Sequence, residues 1–289
     1  MLSIGSAVCK TESATAANAL ADSAALDLPL PVPPDSLTVG EEKIAYILNH
    51  FWDTLDFKND QRVHDPAFLE QNFSNFIAIL SYAGNDARRE AVKKAVKLAG
   101  ADLSALTEFA EVAELYLYAL ESPYVSEELY EVFLEAFTEI EVFDEVHAER
   151  YAWQLRGLRK NRPGMTAADF GYVTPDGQRS TLHSTPATGE ILLIFYDPDC
   201  GNCHKIIGSL REDSRVTEGI RKGELTVMAI YSGDNFEQWK STVGDMPADW
   251  IVGYENGRIE EEELYDFQAM PTVFLLDKDK KILRRNIKH

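Results

Sequence analysis

The chain has 289 residues, 45% hydrophobic and 26% charged, the makeup of a soluble globular protein with room for about two domains. Its 48 acidic residues against 28 Lys and Arg give a net charge of -20, which argues against nucleic acid as a partner because phosphates would be repelled. No stretch approaches the roughly 20 apolar residues that cross a bilayer, and three cysteines are too few for a disulfide-built scaffold.

Residues 1–40 read as a signal-like start followed by a disordered tether. Met1 to Cys9 has the small residues of an export or lipoprotein signal but lacks a basic start and a full apolar stretch, so the signal is incomplete. Cys9 is either a lipid-anchor site or incidental. The Ala-, Ser- and Pro-rich run to Asp35 cannot bury a core and would hold the folded part off a membrane.

Residues 41–162 carry a helical period. Ile44, Ile47, Leu48, Phe51 and Trp52 share a face; so do Phe68, Phe73, Phe76, Ile77 and Leu80. Further runs follow through Ala91 to Leu98, through Leu106, Phe109, Val112, Leu115 and Leu117, through Leu129 to Phe137, and through Val146, Tyr151, Leu155 and Leu158. Breaks are expected at Asp65-Pro66, at Ala83 to Asp86, at Gly100 and at Ser122-Pro123. The aromatics at this spacing predict a core rather than a cofactor box, and His50, His64 and His147 stand alone without metal spacing. No Lys or Arg occurs from Ala101 to Glu149, while Arg88, Arg89, Lys93, Lys94 and Lys97 cluster just before. The acidic stretch reads as a solvated face or, alternatively, as a docking face for a basic partner.

Residues 163–289 change period. Strands are expected at 170–173, 178–182, 190–196, 225–231, 250–252, 272–276 and 281–283, with helices near 202–215 and 235–243. Strands alternating with helices imply an α/β domain with parallel pairs.

The chemistry is expected at Cys200-Gly201-Asn202-Cys203, directly after the apolar strand Ile191 to Tyr196. A cysteine on the first turn of a helix meets free N–H groups and the positive end of the helix dipole, which can lower a thiol pKa from about 8.5 to between roughly 3.5 and 7.5. Cys200 occupies that place and would be the attacking thiolate, with Cys203, one turn on and more shielded, as the resolving thiol. Asp197 and Asp199 before the motif would tune the pair against the thiolate, His204 after it in favour, and the two carboxylates point to a reducing pair. Downstream, Pro271 opens the apolar strand Thr272 to Leu276. A cis peptide at Met270–Pro271 is compatible with this position, and opposite the dithiol it would expose the Met270 backbone to pair with a substrate segment.

From about Met165 to Leu283 the chain resembles the thioredoxin-like superfamily, and most of all the TlpA-like thiol–disulfide oxidoreductases of bacterial cell envelopes. The resemblance rests on Ala168-Asp169-Phe170, the turn Asp176-Gly177, strands Ile191 to Tyr196 and Leu225 to Tyr231, the CxxC, Trp239, and Met270-Pro271-Thr272 running to Leu276-Asp277. A CxxC after a buried strand with a Pro-Thr strand about seventy residues later is a specific context. It implies a central mixed sheet with flanking helices, Cys200 as nucleophile, Cys203 as resolver, and Pro271 as a cis proline. It also implies a protein thiol or disulfide as substrate, a separate redox partner for regeneration, and no tightly bound cofactor. The site would be the periplasm or cell envelope, with a membrane tether through the N-terminus. The helical part resembles an uncharacterised all-α domain that precedes thioredoxin-like domains in Bacteroidetes proteins, which brings no activity with it. The sequence departs from typical thioredoxins at Ile194, where they carry a buried Asp, at Asp199 in place of Trp, and at Gly201-Asn202 in place of Gly-Pro; it also stops at His289, leaving no room for their closing helix.

Three other readings remain open. Cys200 to His204 spells CxxCH, the attachment motif of c-type haem, with His204 proximal and Met228, Met246 or Met270 distal. A zinc site could draw on Cys200, Cys203 and His183 or His204, although a second paired motif is missing, and Glu260 to Glu263 lacks the loop that calcium needs. Finally, the dithiol could be vestigial in a non-catalytic protein that binds a partner through its helical domain.

Overall fold

The computed structural model describes residues 26–286. The signal-like start and Cys9 lie outside these residues. The chain divides into two compact units, 1–155 and 156–289.

The first unit is helical: α1 (Gly40–His50), a 3-10 turn (Gln61–His64), α2 (Pro66–Leu80), α3 (Asn85–Ala99), α4 (Leu103–Leu117), α5 (Glu127–Glu139) and α6 (Glu145–Arg159), the last running past the boundary. The expected breaks coincide with helix ends because they carry caps. The Asp65 carboxylate accepts from the Ala67 N–H with Pro66 in the first turn, Asp102 accepts from Ala105 N–H, and Ser126 from Leu129 N–H. The aromatics form the core: Trp52 and Phe73 meet Phe109 edge-on at 5.4 and 5.5 Å between ring centres. Two positions expected on buried faces are not. Leu115 is 51% and Val146 77% exposed. The buried stripe of α4 runs through Leu106, Phe109, Ala113 and Leu117, which turns Leu115 to the far side, and Tyr151, Leu155 and Leu158 set the inner face of α6.

Three residues of the basic cluster find partners on the acidic stretch, and Lys94 pairs with Asp53 instead. Arg88 of α3 meets Glu128 of α5 at 2.7 Å, Arg89 meets Glu135 at 3.5 Å, and Lys93 meets Glu139, forming a ladder between the two helices. His50, His64 and His147 each pair with one carboxylate, Asp53, Glu108 and Asp144 respectively. Within the expected tether, residues 27–39 have no regular structure, but Leu28 is buried. Its N–H donates to the Asn72 Oδ1 at 2.7 Å, and the Asn72 amide donates to the Leu26 carbonyl at 2.7 Å. An Asn buried on α2 with both ends satisfied fixes this segment, a contact that composition does not reveal.

The second unit is a seven-stranded mixed sheet with flanking helices, in the order β2-β1-β5-β4-β3-β6-β7. The strands are β1 (Gly171–Val173), β2 (Arg179–Thr181), β3 (Glu190–Tyr196), β4 (Leu225–Tyr231), β5 (Ile251–Tyr254), β6 (Thr272–Leu276) and β7 (Ile282–Arg285). Between them lie α7 (Gly201–Glu212), α8 (Ser214–Lys222), α9 (Phe236–Thr242) and α10 (Arg258–Glu261). β3, β4 and β5 run parallel, and β6 runs antiparallel to β3. β3 is buried on both faces. Leu192, Ile194 and Tyr196 face a cluster with Cys203, Ile207 and Trp239, whereas Ile191, Leu193 and Phe195 face one with Met228, Tyr265 and Phe274. The helix expected at 202–215 is two helices. Asp213 ends α7 and its carboxylate caps α8 by accepting from Arg215 N–H, and Gly223 closes α8 at φ 71°.

The start of this unit reaches back beyond 163. The Asn161 side chain, 5% exposed, donates to the Leu264 carbonyl at 2.7 Å and accepts from Ala168 N–H at 2.9 Å. Arg285 donates to the carbonyls of Leu158 and Lys160.

Candidate active site

The parallel strands end together, and the turn after β3 delivers the dithiol. Asp197 builds that turn: its carbonyl accepts from Cys200 N–H at 3.1 Å and its carboxylate from Asp199 N–H at 2.7 Å. Cys200 is the N-cap residue of α7. Its sulfur accepts from Cys203 N–H at 3.1 Å, as a capping oxygen would. His204 donates its Nε2–H to the Pro198 carbonyl at 2.7 Å, an assignment that follows because a carbonyl can only accept. Asp197 and His204 thus serve the turn's geometry, and Asp199 is exposed beside it.

Both cysteines are free thiols; Cys200 is half-buried and Cys203 is fully buried. Burial, then the neighbouring Cys200, pushes the Cys203 thiol up to about 12. Across the gap the Met270–Pro271 peptide is cis. The Met270 carbonyl accepts from the Cys200 thiol at 3.5 Å and from the Asn202 amide at 3.3 Å. The structure therefore brings Cys200, Cys203, Met270, Pro271, Asp197, Asp199 and His204 to one end of the sheet. The arrangement offers one accessible sulfur held by a helix terminus, one sealed sulfur a turn behind, and a backbone edge beside the first. Such a pair can exchange a disulfide.

The sequence alternatives fit these residues less well. For a covalent haem, Cys203 lies under α7 with no exposure, the His204 Nε2 is engaged, and Met228 sits in the cluster on the other face of the sheet. For zinc, no three His, Cys, Asp or Glu side chains converge among the described residues, and His183 Nε2 is directed to the Ala167 carbonyl at 2.8 Å. In the run Glu260 to Glu263, Glu262 pairs with Arg258 and Glu263 with Arg156.

Two residues of this unit carry no motif. Tyr196 ends β3 under α7, and in the sequence it reads only as the last apolar residue of a strand. Glu255, 4% exposed at the end of β5, accepts from the N–H groups of Arg258 and Ile259 at 3.0 and 3.2 Å and so caps α10. A strand-end Glu three residues before a short helix is the signal that could have found it.

This sheet, with its dithiol at a helix N-terminus facing a cis proline, is a thioredoxin-like fold, and a family model for a thioredoxin-like domain matches residues 180–286. A model for the domain of unknown function DUF5106 matches residues 6–161, more than half of the chain. The chain belongs to the DUF5106 family, here joined to a thioredoxin-like domain. Among solved structures, a thioredoxin-like protein from Bacteroides caccae is 29% identical over 90% of this chain and 94% of that one, with a TM-score of 0.75. A conserved protein of unknown function from Bacteroides fragilis is 40% identical over 44% of this chain and 93% of that one, with a TM-score of 0.42. A thiol-disulfide oxidoreductase from the same species is 19% identical over 43% of this chain and 92% of that one, with a TM-score of 0.38. No curated protein matches the chain. Among the described residues no helix is long and apolar enough to cross a membrane.

Proposed function

We propose that the chain is a thiol–disulfide oxidoreductase that reduces protein disulfides in the cell envelope. The observation that carries this reading is the half-buried Cys200 sulfur at the head of α7, 3.5 Å from the Met270 carbonyl, with Cys203 sealed one turn behind. Cys200 as thiolate attacks a substrate disulfide and releases one substrate sulfur. Cys203 then attacks the Cys200 sulfur of the mixed disulfide. The substrate leaves with both sulfurs reduced, and the protein is left as a Cys200–Cys203 disulfide, which a separate dithiol donor must reduce. The reducing direction is supported by what resists charge on the reduced pair: burial, then the neighbouring Cys200, work against a Cys203 thiolate and outweigh the Asp197 backbone hydrogen bond that favours it. A reduction potential near about -270 mV accords with it, and one near about -120 mV, the range of strong disulfide formers, contradicts it. The envelope location is supported by the signal-like start and by the resemblance to TlpA-like oxidoreductases in the sequence, and cell fractionation tests it.

The Cys203→Ser variant tests the chemistry. It should accumulate in whole cells joined through Cys200 to protein partners, in bands that a reductant dissolves. Absence of such adducts, with Cys200 still open to alkylation, would sink the reading.

A further inference from the structure

Helix α6 buries one face and leaves the other bare. Tyr151 and Leu155 are buried, whereas Val146 is 77% and Trp153 45% exposed. Val146, Glu149 and Trp153 follow at i, i+3 and i+7 and so form one stripe, with Glu145, Ala148 and Ala152 in the row beside it. The small alanines lie low between taller neighbours, and these residues line a groove of about 990 Å³. The other three Trp of the chain, Trp52, Trp239 and Trp250, are buried. An exposed Trp beside an exposed Val, rimmed by charge, is the composition of an interaction surface rather than of a solvated helix face.

Charge decides what can cover it. Among the described residues that line the groove, the one cation is Arg150. It is spoken for: Glu114 of α4 holds it at 2.5 Å, and it lies over the Tyr151 ring at 5.8 Å. Glu145 has no ion-pair partner among the described residues, and the chain from Ala101 to Glu149 supplies no Lys or Arg. A second copy of the chain on a two-fold axis would set Glu145 and Glu149 against the same carboxylates. An anionic lipid surface would be repelled. A cationic protein segment is drawn in.

We propose that this groove docks a segment of a partner protein in which apolar side chains are flanked by Lys or Arg. The apolar side chains pack on Val146, Ala148, Ala152 and Trp153, and the cations meet Glu145 and Glu149. Trp153 is the anchor that carries most of the affinity, and the carboxylates set orientation and the rate of encounter. The groove gives the helical unit a role of its own, independent of turnover at the dithiol.

Trp153 reports its own occupancy, because a blue shift of emission on binding cannot come from three Trp that are already buried. The probe is a short Trp-free peptide of Leu and Lys, added to the full chain, with a Leu and Glu peptide as control. The Lys peptide should shift the emission to the blue saturably, and more weakly as salt rises; the Glu peptide should not. Affinities of variants are read from the anisotropy of labelled Lys peptide. Trp153→Ala and Val146→Asp should each weaken binding at least about tenfold, and Glu145→Lys about three- to tenfold. Glu41→Lys makes the same charge change on α1 and should weaken it less than about twofold. All four positions are exposed, so the variants should keep the helical circular dichroism of the parent. Absence of a saturable shift, equal binding of the Glu peptide, or equal losses in Glu41→Lys and Glu145→Lys overturns the proposal. So does a parent dimer in sedimentation that Val146→Asp splits, which makes the occupant a second copy, or a Trp153 blue shift with anionic vesicles, which makes it a lipid surface.

Discussion

Asp197 and His204 carry ionisable side chains beside a thiol, yet both are occupied in shaping the turn that presents it. Their types and positions were legible in the sequence, as were Cys200, Cys203, Met270 and Pro271, because spacing and strand context mark them. Their hydrogen bonds were not, since these depend on how the turn closes. Tyr196 was hidden for another reason: at the end of an apolar run it is indistinguishable from core until its oxygen is seen to lack a partner. Glu255 gives a prediction at this scale. Burial raises its carboxyl above 4.5 while the Ile259 and Arg258 amides oppose the shift. A raised folded pKa means that the native state holds the proton more tightly than the unfolded chain, so its stabilising effect is present below about pH 4.5 and is lost as pH rises through the folded pKa. Relative to Glu255→Gln, the parent should therefore lose stability as pH climbs from about 4.5 towards neutrality, measured by urea unfolding at a series of pH values. Parallel curves for the two proteins would refute this.

Among the elements, every strand expected from the change of period is present, because β3, β4 and β6 are continuous apolar runs bounded by turns. The division of one helix into α7 and α8 was not legible. Asp213 reads equally as a charged surface position in a single helix, and only its carboxylate on the Arg215 N–H makes it a cap. Gly189 was likewise silent in sequence. A Cβ there would lie 2.0 Å from the Glu224 carbonyl oxygen, where Glu190 N–H donates to that same oxygen at 2.8 Å and starts the β3–β4 ladder. Backbone cannot yield as a flexible side chain can. Gly189→Ala should cost about 1–3 kcal/mol in urea unfolding, the usual range for overpacking. A cost below about 0.5 kcal/mol, the scale of an ordinary surface change, would show that the strand start adapts.

Among the described residues the helical unit packs around its aromatics and the sheet carries a hydrophobic cluster on each face, and every residue of the dithiol site belongs to the second unit. The change from helical to strand period is visible near Asn161 to Gly164, but Asn161 itself binds Leu264 and Ala168 of the second unit. A fragment of residues 156–289 should fold and keep its Cys200 reactivity. A fragment of residues 163–289 should be less stable by about 1–3 kcal/mol, the penalty for leaving buried polar partners unsatisfied, as judged by thermal and urea melts. Equal melts would place the seven omitted residues (156–162) outside the folding unit. The ladder between α3 and α5 has a consequence of its own. No Lys or Arg lies between Ala101 and Glu149, so the cations that meet Glu128, Glu135 and Glu139 of α5 come from α3. Were α3 to fray alone, these three carboxylates would lose those cations and repel one another. The two helices are thus coupled to open together, and added salt, by screening that repulsion, loosens the coupling.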